Sequence, residues 1–140
     1  MSCFRLSLLT VLTAACVAGC SNAPTHLSKP TETVVWPELQ ALQSPDIAMG
    51  IFRSMQMNDY KTMRASLSDP KVEELVKKLD ESKIPSPFAS KAREDAKAKV
   101  VSEYKLLITT AKGVGSNPDL KRSGEEVLKA MAKLTDPALK

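Results

Sequence analysis

The chain of 140 residues contains few aromatic side chains, one histidine and three cysteines. Phe, Trp and Tyr make up 4% of it, so a packed core must consist of aliphatic side chains, alanine and methionine. The histidine, His26, lies in a stretch rich in Pro, Ser and Thr. Catalysis through a histidine requires the ring to be held rigidly beside a nucleophile. We therefore expect His26 to be a solvated residue without a catalytic role.

Ligand sets for metals and convergent pairs of carboxylates are also missing. Zinc, haem and di-iron sites in helical proteins need several His or Cys ligands, or Glu-x-x-His pairs, and the sequence offers no such set. The acidic pairs occupy adjacent positions, at Glu73-Glu74, Asp80-Glu81, Glu94-Asp95 and Glu125-Glu126. Adjacent helical side chains point about 100° apart, so the carboxylates of a pair do not converge as acid–base catalysis requires. We predict neither an enzyme nor a bound metal or cofactor.

The apolar stretch near the start of the chain is too short to span a bilayer. It runs from Leu6 to Val17 and holds about 12 residues, whereas a hydrocarbon core needs ~20. A charged residue, Arg5, precedes it, and the small residues of Val17-Ala18-Gly19-Cys20 follow it. A charged start, a short apolar run and small residues at a cleavage site are typical of a secretory signal peptide. With the cysteine directly after two small residues, this segment resembles the lipobox of a bacterial lipoprotein.

The resemblance implies that residues 1–19 are removed and that Cys20 becomes an acylated N-terminus. Cys3 and Cys16 would leave with the leader, so the mature chain would have no thiol for a disulfide or for catalysis. One acyl chain binds a membrane only marginally, and the several chains typical of such lipoproteins would give a stable anchor. Because Ser21 stands where Asp would favour the inner membrane, we expect a periplasm-facing protein on the outer membrane.

The rest of the chain is predicted to consist of a tether, residues 20–43, and a helical domain, residues 44–140. Two prolines and many Ser and Thr residues lie in residues 21–36, so this stretch is expected to be disordered. Fully extended, it would reach ~50 Å. Trp36 is expected to pack against the first helix, and a binding platform is the alternative.

Proline recurs directly after a short polar residue and divides the domain into helices. The pairs that start helices are Ser44-Pro45, Asp69-Pro70, Ser86-Pro87 and Asn117-Pro118, and Asp136-Pro137 ends the last helix. The polar side chain accepts a hydrogen bond from a first-turn amide, and proline fits the first helical position. Apolar residues recur at helical spacing after each start.

The fold class predicted from these patterns is all-α, an antiparallel bundle of four helices, or of five if Asn58-Asp59 breaks the first. The third helix is the longest, with ~25 residues, and Gly113 and Gly115 supply its end. Ion pairs between an acidic and a basic residue four positions apart are expected on the outer faces of the helices, and each contributes ~0.2–0.5 kcal/mol to helix stability. These pairs are Glu73–Lys77, Glu74–Lys78, Asp95–Lys99 and Glu125–Lys129.

Methionines are dense in the first helical segment. Thioethers fill irregular cores, line adaptable grooves and can bind Cu(I). We interpret Met55 and Met63 as core residues, whereas Met57 lies off the apolar stripe and is expected to be exposed. Gly50 and Gly124 lie inside helical stretches, where they would let two backbones approach closely.

Two functions fit this pattern. The first is an envelope lipoprotein whose non-catalytic helical domain binds another envelope protein or supports envelope structure. The alternative is a carrier of a small apolar ligand, held in a cavity between helices that Met55, Met63 and Tyr104 would line. The residues predicted to contact a partner or ligand are Trp36, Met55, Met57, Met63 and Tyr104. The C-terminal half is basic but lacks interleaved aromatic residues, so nucleic acid is not expected as a partner.

The lipid anchor is directly testable. Cells that produce the wild-type chain should incorporate a palmitate analogue into it, because Cys20 carries the acyl chains. The Cys20→Ala variant should incorporate none. Equal labelling of the two chains would reject the anchor.

Overall fold

The computed structural model describes residues 35–139. Each of the six helices in this part of the chain begins with a proline in its first turn or with a polar side chain at its N-cap. Helix α1 spans Pro37–Leu42. Helix α2 is one continuous stretch built from Pro45–Ala48, the π-helical Met49–Arg53, and Ser54–Gln56. The remaining helices, α3 to α6, span Tyr60–Leu67, Pro70–Glu81, Lys91–Lys112 and Asn117–Thr135.

The all-α prediction is confirmed, since residues 35–139 contain no strand. None of the helices in this region is both long and apolar enough to cross a membrane. The lipobox, Cys20 and His26 lie outside the described residues.

The first predicted helix is interrupted at Asn58-Asp59, which was the condition for the alternative with five helices. Asn58 adopts a left-handed conformation with φ of 57°, which ends α2. Asp59 then caps α3, because its side chain accepts a hydrogen bond from the Thr62 backbone N–H at 3.1 Å. Asp69 caps α4 in the same way, accepting from the Lys71 N–H at 2.9 Å.

The start of the long helix differs from the prediction. Ser86 and Pro87 form a short 3-10 turn, Ser86–Phe88, instead of the first helical turn. Ala89 is extended after it, and Ser90 caps α5 by accepting from the Arg93 N–H at 3.2 Å. Helix α5 therefore has 22 residues.

The cap of α6 also lies one residue earlier than predicted. Ser116 and Asp119 form a reciprocal capping box, so Asn117 is the first helical residue. This motif satisfies two amides of the first turn. The predicted end at Asp136-Pro137 is confirmed, because Asp136 is the C-cap of α6.

The folded domain begins before residue 44, which corrects the predicted end of the tether at residue 43. Helix α1 lies within that range and packs against α4. Trp36, Leu39 and Leu42 are buried, with exposed fractions of 6%, 7% and 0%. The Trp36 indole Nε1 donates to Ser82 Oγ, just after α4, at 3.2 Å. A helix of six residues is too short to show the periodicity on which the prediction depended.

Neighbouring helices run antiparallel where polar contacts join them. At the start of α5, Arg93 reaches the carbonyls of Asp136 and Leu139, which follow the end of α6. Near the end of α5, Lys112 pairs with Glu73, near the start of α4, at 2.6 Å. Helices α4 and α6 are therefore both antiparallel to α5. The arrangement of the helices as one antiparallel bundle, expected for four or five of them, stays a prediction.

Of the four predicted ion pairs within helices, only Glu74–Lys78 forms, at 2.7 Å. Glu73 pairs with Lys112 across two helices instead. Most of the pairs observed in residues 35–139 lie at the surface, where such pairs contribute ~0–1 kcal/mol each. Packing of the core therefore dominates the stability of the domain.

Methionine and glycine fit together in the core. Met55 and Met63 are 4% and 0% exposed, and Met57 is 68% exposed, as the apolar stripe predicted. A Cβ atom on Gly124 would lie 2.5 Å from Met55 Sδ and 3.2 Å from Met63 Cε. Gly124 therefore lets α6 approach the two thioethers closely, which agrees with the packing role expected for this glycine.

The left-handed Asn58 provides a test of the helix break. Replacement by Gly should leave the free energy of unfolding within a few tenths of a kcal/mol, because Gly adopts this conformation freely. Replacement by Val should lower it by about 1–2 kcal/mol, because a β-branched side chain is strained there. Urea denaturation of the two variants measures the difference. Equal stability would contradict the left-handed break.

Candidate functional site

An apolar groove lies between the second half of α6 and the α1–α2 region. Its volume is about 360 Å³. The residues that line this apolar groove are Leu42, Gln43, Ala48, Phe52, Leu128, Met131, Ala132 and Thr135. Six of these eight are apolar, and Leu128 remains 36% exposed. The groove thus presents apolar side chains at the surface of the domain.

The π-helical stretch of α2 contributes to this groove. A π turn inserts an extra residue into a helix and is frequent at functional sites. Phe52 lies in this stretch and lines the apolar groove. Its ring also meets the Tyr104 ring edge-on, with 6.4 Å between centroids and 70° between planes. Phe52 therefore joins the groove to the core through a favourable aromatic contact.

A second groove, the aromatic groove, adjoins the first and shares Gln43 and Thr135 with it. Its volume is about 310 Å³. The residues that line the aromatic groove are Trp36, Leu39, Gln40, Gln43, Phe88, Arg93, Leu134, Thr135 and Pro137. It combines apolar walls with a few polar groups, as small-molecule sites commonly do.

Arg93 is the charged group of the aromatic groove, and it is 6% exposed. Its Nη2 donates to the Asp136 carbonyl at 3.0 Å and to the Leu139 carbonyl at 2.7 Å. The guanidinium carbon also lies 5.0 Å from the centre of the Phe88 ring. The buried Nε has no hydrogen-bond acceptor within the described part of the chain.

A third, charged groove of about 710 Å³ lies between α4 and α5. Its acidic residues are neutralised locally, since Lys105 binds Asp80 at 2.9 Å and Lys112 binds Glu73 at 2.6 Å. The hydrogen bond from Lys78 lowers the pKa of the exposed Glu74 carboxyl. Residues 35–139 contain no cluster of three His, Cys, Asp or Glu side chains that could hold a metal. The charged groove therefore has the character of a solvated face.

The structure does not bring the predicted contact residues together at one open site. Met55, Met63 and Tyr104 are buried, and none of them lines any of the three grooves. None of the three grooves therefore corresponds to the ligand cavity that was expected among these three side chains. Met57 is exposed on another part of the surface, and Trp36 lines the aromatic groove.

Sequence reasoning did not single out Phe52, Leu128 or Arg93 as site residues. Phe52 and Leu128 belong to the apolar residues that recur at helical spacing, and Arg93 belongs to the basic C-terminal half, so neither pattern marks them as site residues. No family model, curated protein or solved structure matches this chain. The geometry of the grooves is therefore the basis for a proposed function.

Tyr104 is buried, and its hydroxyl group has no partner among residues 35–139. Its exposed fraction is 0%, and its oxygen forms no hydrogen bond to any of these residues. A buried polar group without a partner costs ~1–3 kcal/mol of desolvation. Burial also raises the pKa of the Tyr104 phenol above its ordinary value of 10.0.

The Tyr104→Phe variant should therefore be more stable than the wild type at pH 7, by about 1 kcal/mol. The advantage should grow above pH ~10, where the unfolded phenol ionises but the folded one does not, so the wild type loses stability. Urea denaturation at both pH values measures this. Tyr60→Phe is the control, because the Tyr60 hydroxyl is exposed and bonds Asn58 at 3.0 Å. A clear loss of stability in Tyr104→Phe would contradict the unpartnered hydroxyl.

Proposed function

We propose that this chain is a lipid-anchored protein of the bacterial cell envelope whose helical domain binds another envelope protein without catalysis. The observation that carries the proposal is the apolar groove, which leaves Leu128 36% exposed beside Phe52 and Met131. Apolar surface that stays open at a groove favours association with a partner, because burial removes it from water.

The proposed occupant is the apolar face of an amphipathic helix from the partner. A groove between helices accepts side chains that recur every three or four residues along such a helix. Arg53 follows Phe52 directly and forms no ion pair within residues 35–139. The full chain carries a net charge of +4, which becomes +3 when Arg5 leaves with the proposed leader. Acidic residues beside the apolar face of the partner would therefore aid recognition.

The anchor rests on the sequence alone. Arg5, the short apolar run and the lipobox at Cys20 support acylation and export, and Ser21 supports the outer membrane. The segment between Cys20 and Trp36 would act as a leash of up to ~50 Å. The partner is then a protein that lies within this distance of the membrane surface.

A second candidate function is the carriage of a small apolar ligand. The aromatic groove favours it, because Trp36, Phe88 and Leu134 surround a volume of about 310 Å³ with a buried charged group at its wall. This location replaces the cavity that the sequence predicted among Met55, Met63 and Tyr104.

The partner hypothesis is tested by placing a charge in the apolar groove. The Leu128→Glu variant should capture at least about tenfold less partner than the wild type, a loss of ~1.4 kcal/mol, because a carboxylate is costly to bury. The measurement is photo-crosslinking from position 132 in detergent-solubilised envelope, with the captured peptide identified by mass spectrometry.

Leu106→Glu is the matched control. Leu106 is also a helical leucine, it is 54% exposed, and it lines none of the three grooves. Capture should survive in this variant, and the captured peptide should be amphipathic with acidic flanks. Equal capture by Leu128→Glu and Leu106→Glu would sink the proposal.

A further inference from the structure

Arg93 is a buried cation in the wall of the aromatic groove. Glu103 is also buried, and it is paired with Lys99. Arg93, by contrast, has no carboxylate partner among residues 35–139. Removing a charge from water is expensive unless an opposite charge and hydrogen bonds compensate for the lost hydration. An anion that enters the aromatic groove would supply this compensation.

The present contacts of the guanidinium leave part of its donor capacity unused. A guanidinium has five N–H donors. In Arg93, Nη2 donates to two carbonyls, the Phe88 ring lies beside the cation, and Nε has no acceptor among residues 35–139. Carbonyl dipoles and a ring face stabilise a cation, but they carry no net negative charge. The site therefore favours an anion more than a neutral polar group.

The walls of the aromatic groove indicate what the anion is attached to. Trp36, Leu39, Phe88 and Leu134 are apolar, and Gln40, Gln43 and Thr135 supply neutral polar groups. A phosphate or sulfate would leave these apolar walls uncovered, whereas a carboxylate on a hydrocarbon body would use both the walls and the charge. Carboxylates also match the planar fork of arginine.

We infer that the aromatic groove binds a small molecule with a carboxylate at one end and an apolar body at the other, such as a medium-chain fatty acid. The inference rests on the carrier function proposed above and names its ligand class. It is independent of the protein partner at the apolar groove. Arg93 would hold the carboxylate, and Trp36 and Phe88 would contact the apolar body.

Trp36 allows a direct test, because it is the single tryptophan of the chain and lines the groove. The full chain with Cys20→Ala, which lacks the proposed lipid, is titrated with octanoate and with octanol below their aggregation limits. Octanoate should change the Trp36 fluorescence in a saturable way. Its Kd should be at least about tenfold lower than that of octanol, which corresponds to ~1.4 kcal/mol.

Substitutions test separately how the charge of Arg93 and the apolar walls of the groove contribute to ligand affinity. Arg93→Gln should bind octanoate and octanol with similar affinity, whereas Arg53→Gln, at an exposed arginine, should keep the preference for octanoate. Gln40→Phe places a bulky ring at the exposed rim of the groove and should weaken both ligands, with folding confirmed by circular dichroism.

The wild-type comparison decides the outcome even if Arg93→Gln does not fold. Equal affinity of the wild type for octanoate and octanol would overturn the carboxylate inference and leave the apolar carrier standing. No saturable response to either ligand would overturn both. A preference for octanoate that persists in a folded Arg93→Gln variant would also overturn the role of Arg93.

Discussion

The burial of helix α5 is the interaction on which the rest of the structure depends. Lys91–Lys112 packs against α3, α4 and α6, and Val100, Tyr104 and Leu107 are fully buried in it. Each fully buried aliphatic side chain contributes roughly 1.5–3 kcal/mol relative to an exposed one. Polar contacts then hold its ends, because Arg64 binds the carbonyls of Thr110 and Ala111, and Arg93 binds those after α6.

Because the core contains few aromatic residues, smaller side chains have to pack closely to fill it. Small and flexible residues meet where helices cross, as Gly124 does with Met55 and Met63. The three grooves of the domain lie open at its surface. The apolar and aromatic grooves adjoin where short elements meet the end of α6, and the charged groove lies between α4 and α5.

Much of the fold was predictable because helix boundaries depend on nearby residues. The breaks at Asp59, Asp69 and Asp136 follow from caps and prolines a few positions away. Helix α1 was missed because six residues carry too little periodicity, and its burial depends on α4, more than 25 residues along the chain. The candidate site was less predictable, since only Trp36 of the predicted contact residues lines a groove.

The sequence by itself determined the all-α class and most helix ends, since each is encoded by residues within a few positions of one another, and the lipid anchor at Cys20 stays a prediction from the same kind of local pattern. Only the tertiary structure decided which side chains line the grooves and that Arg93 is buried without a carboxylate partner among residues 35–139. Arg93 contacts residues that are 43 and 46 positions away. Local patterns do not specify such contacts, because they arise when α5 and α6 pack together.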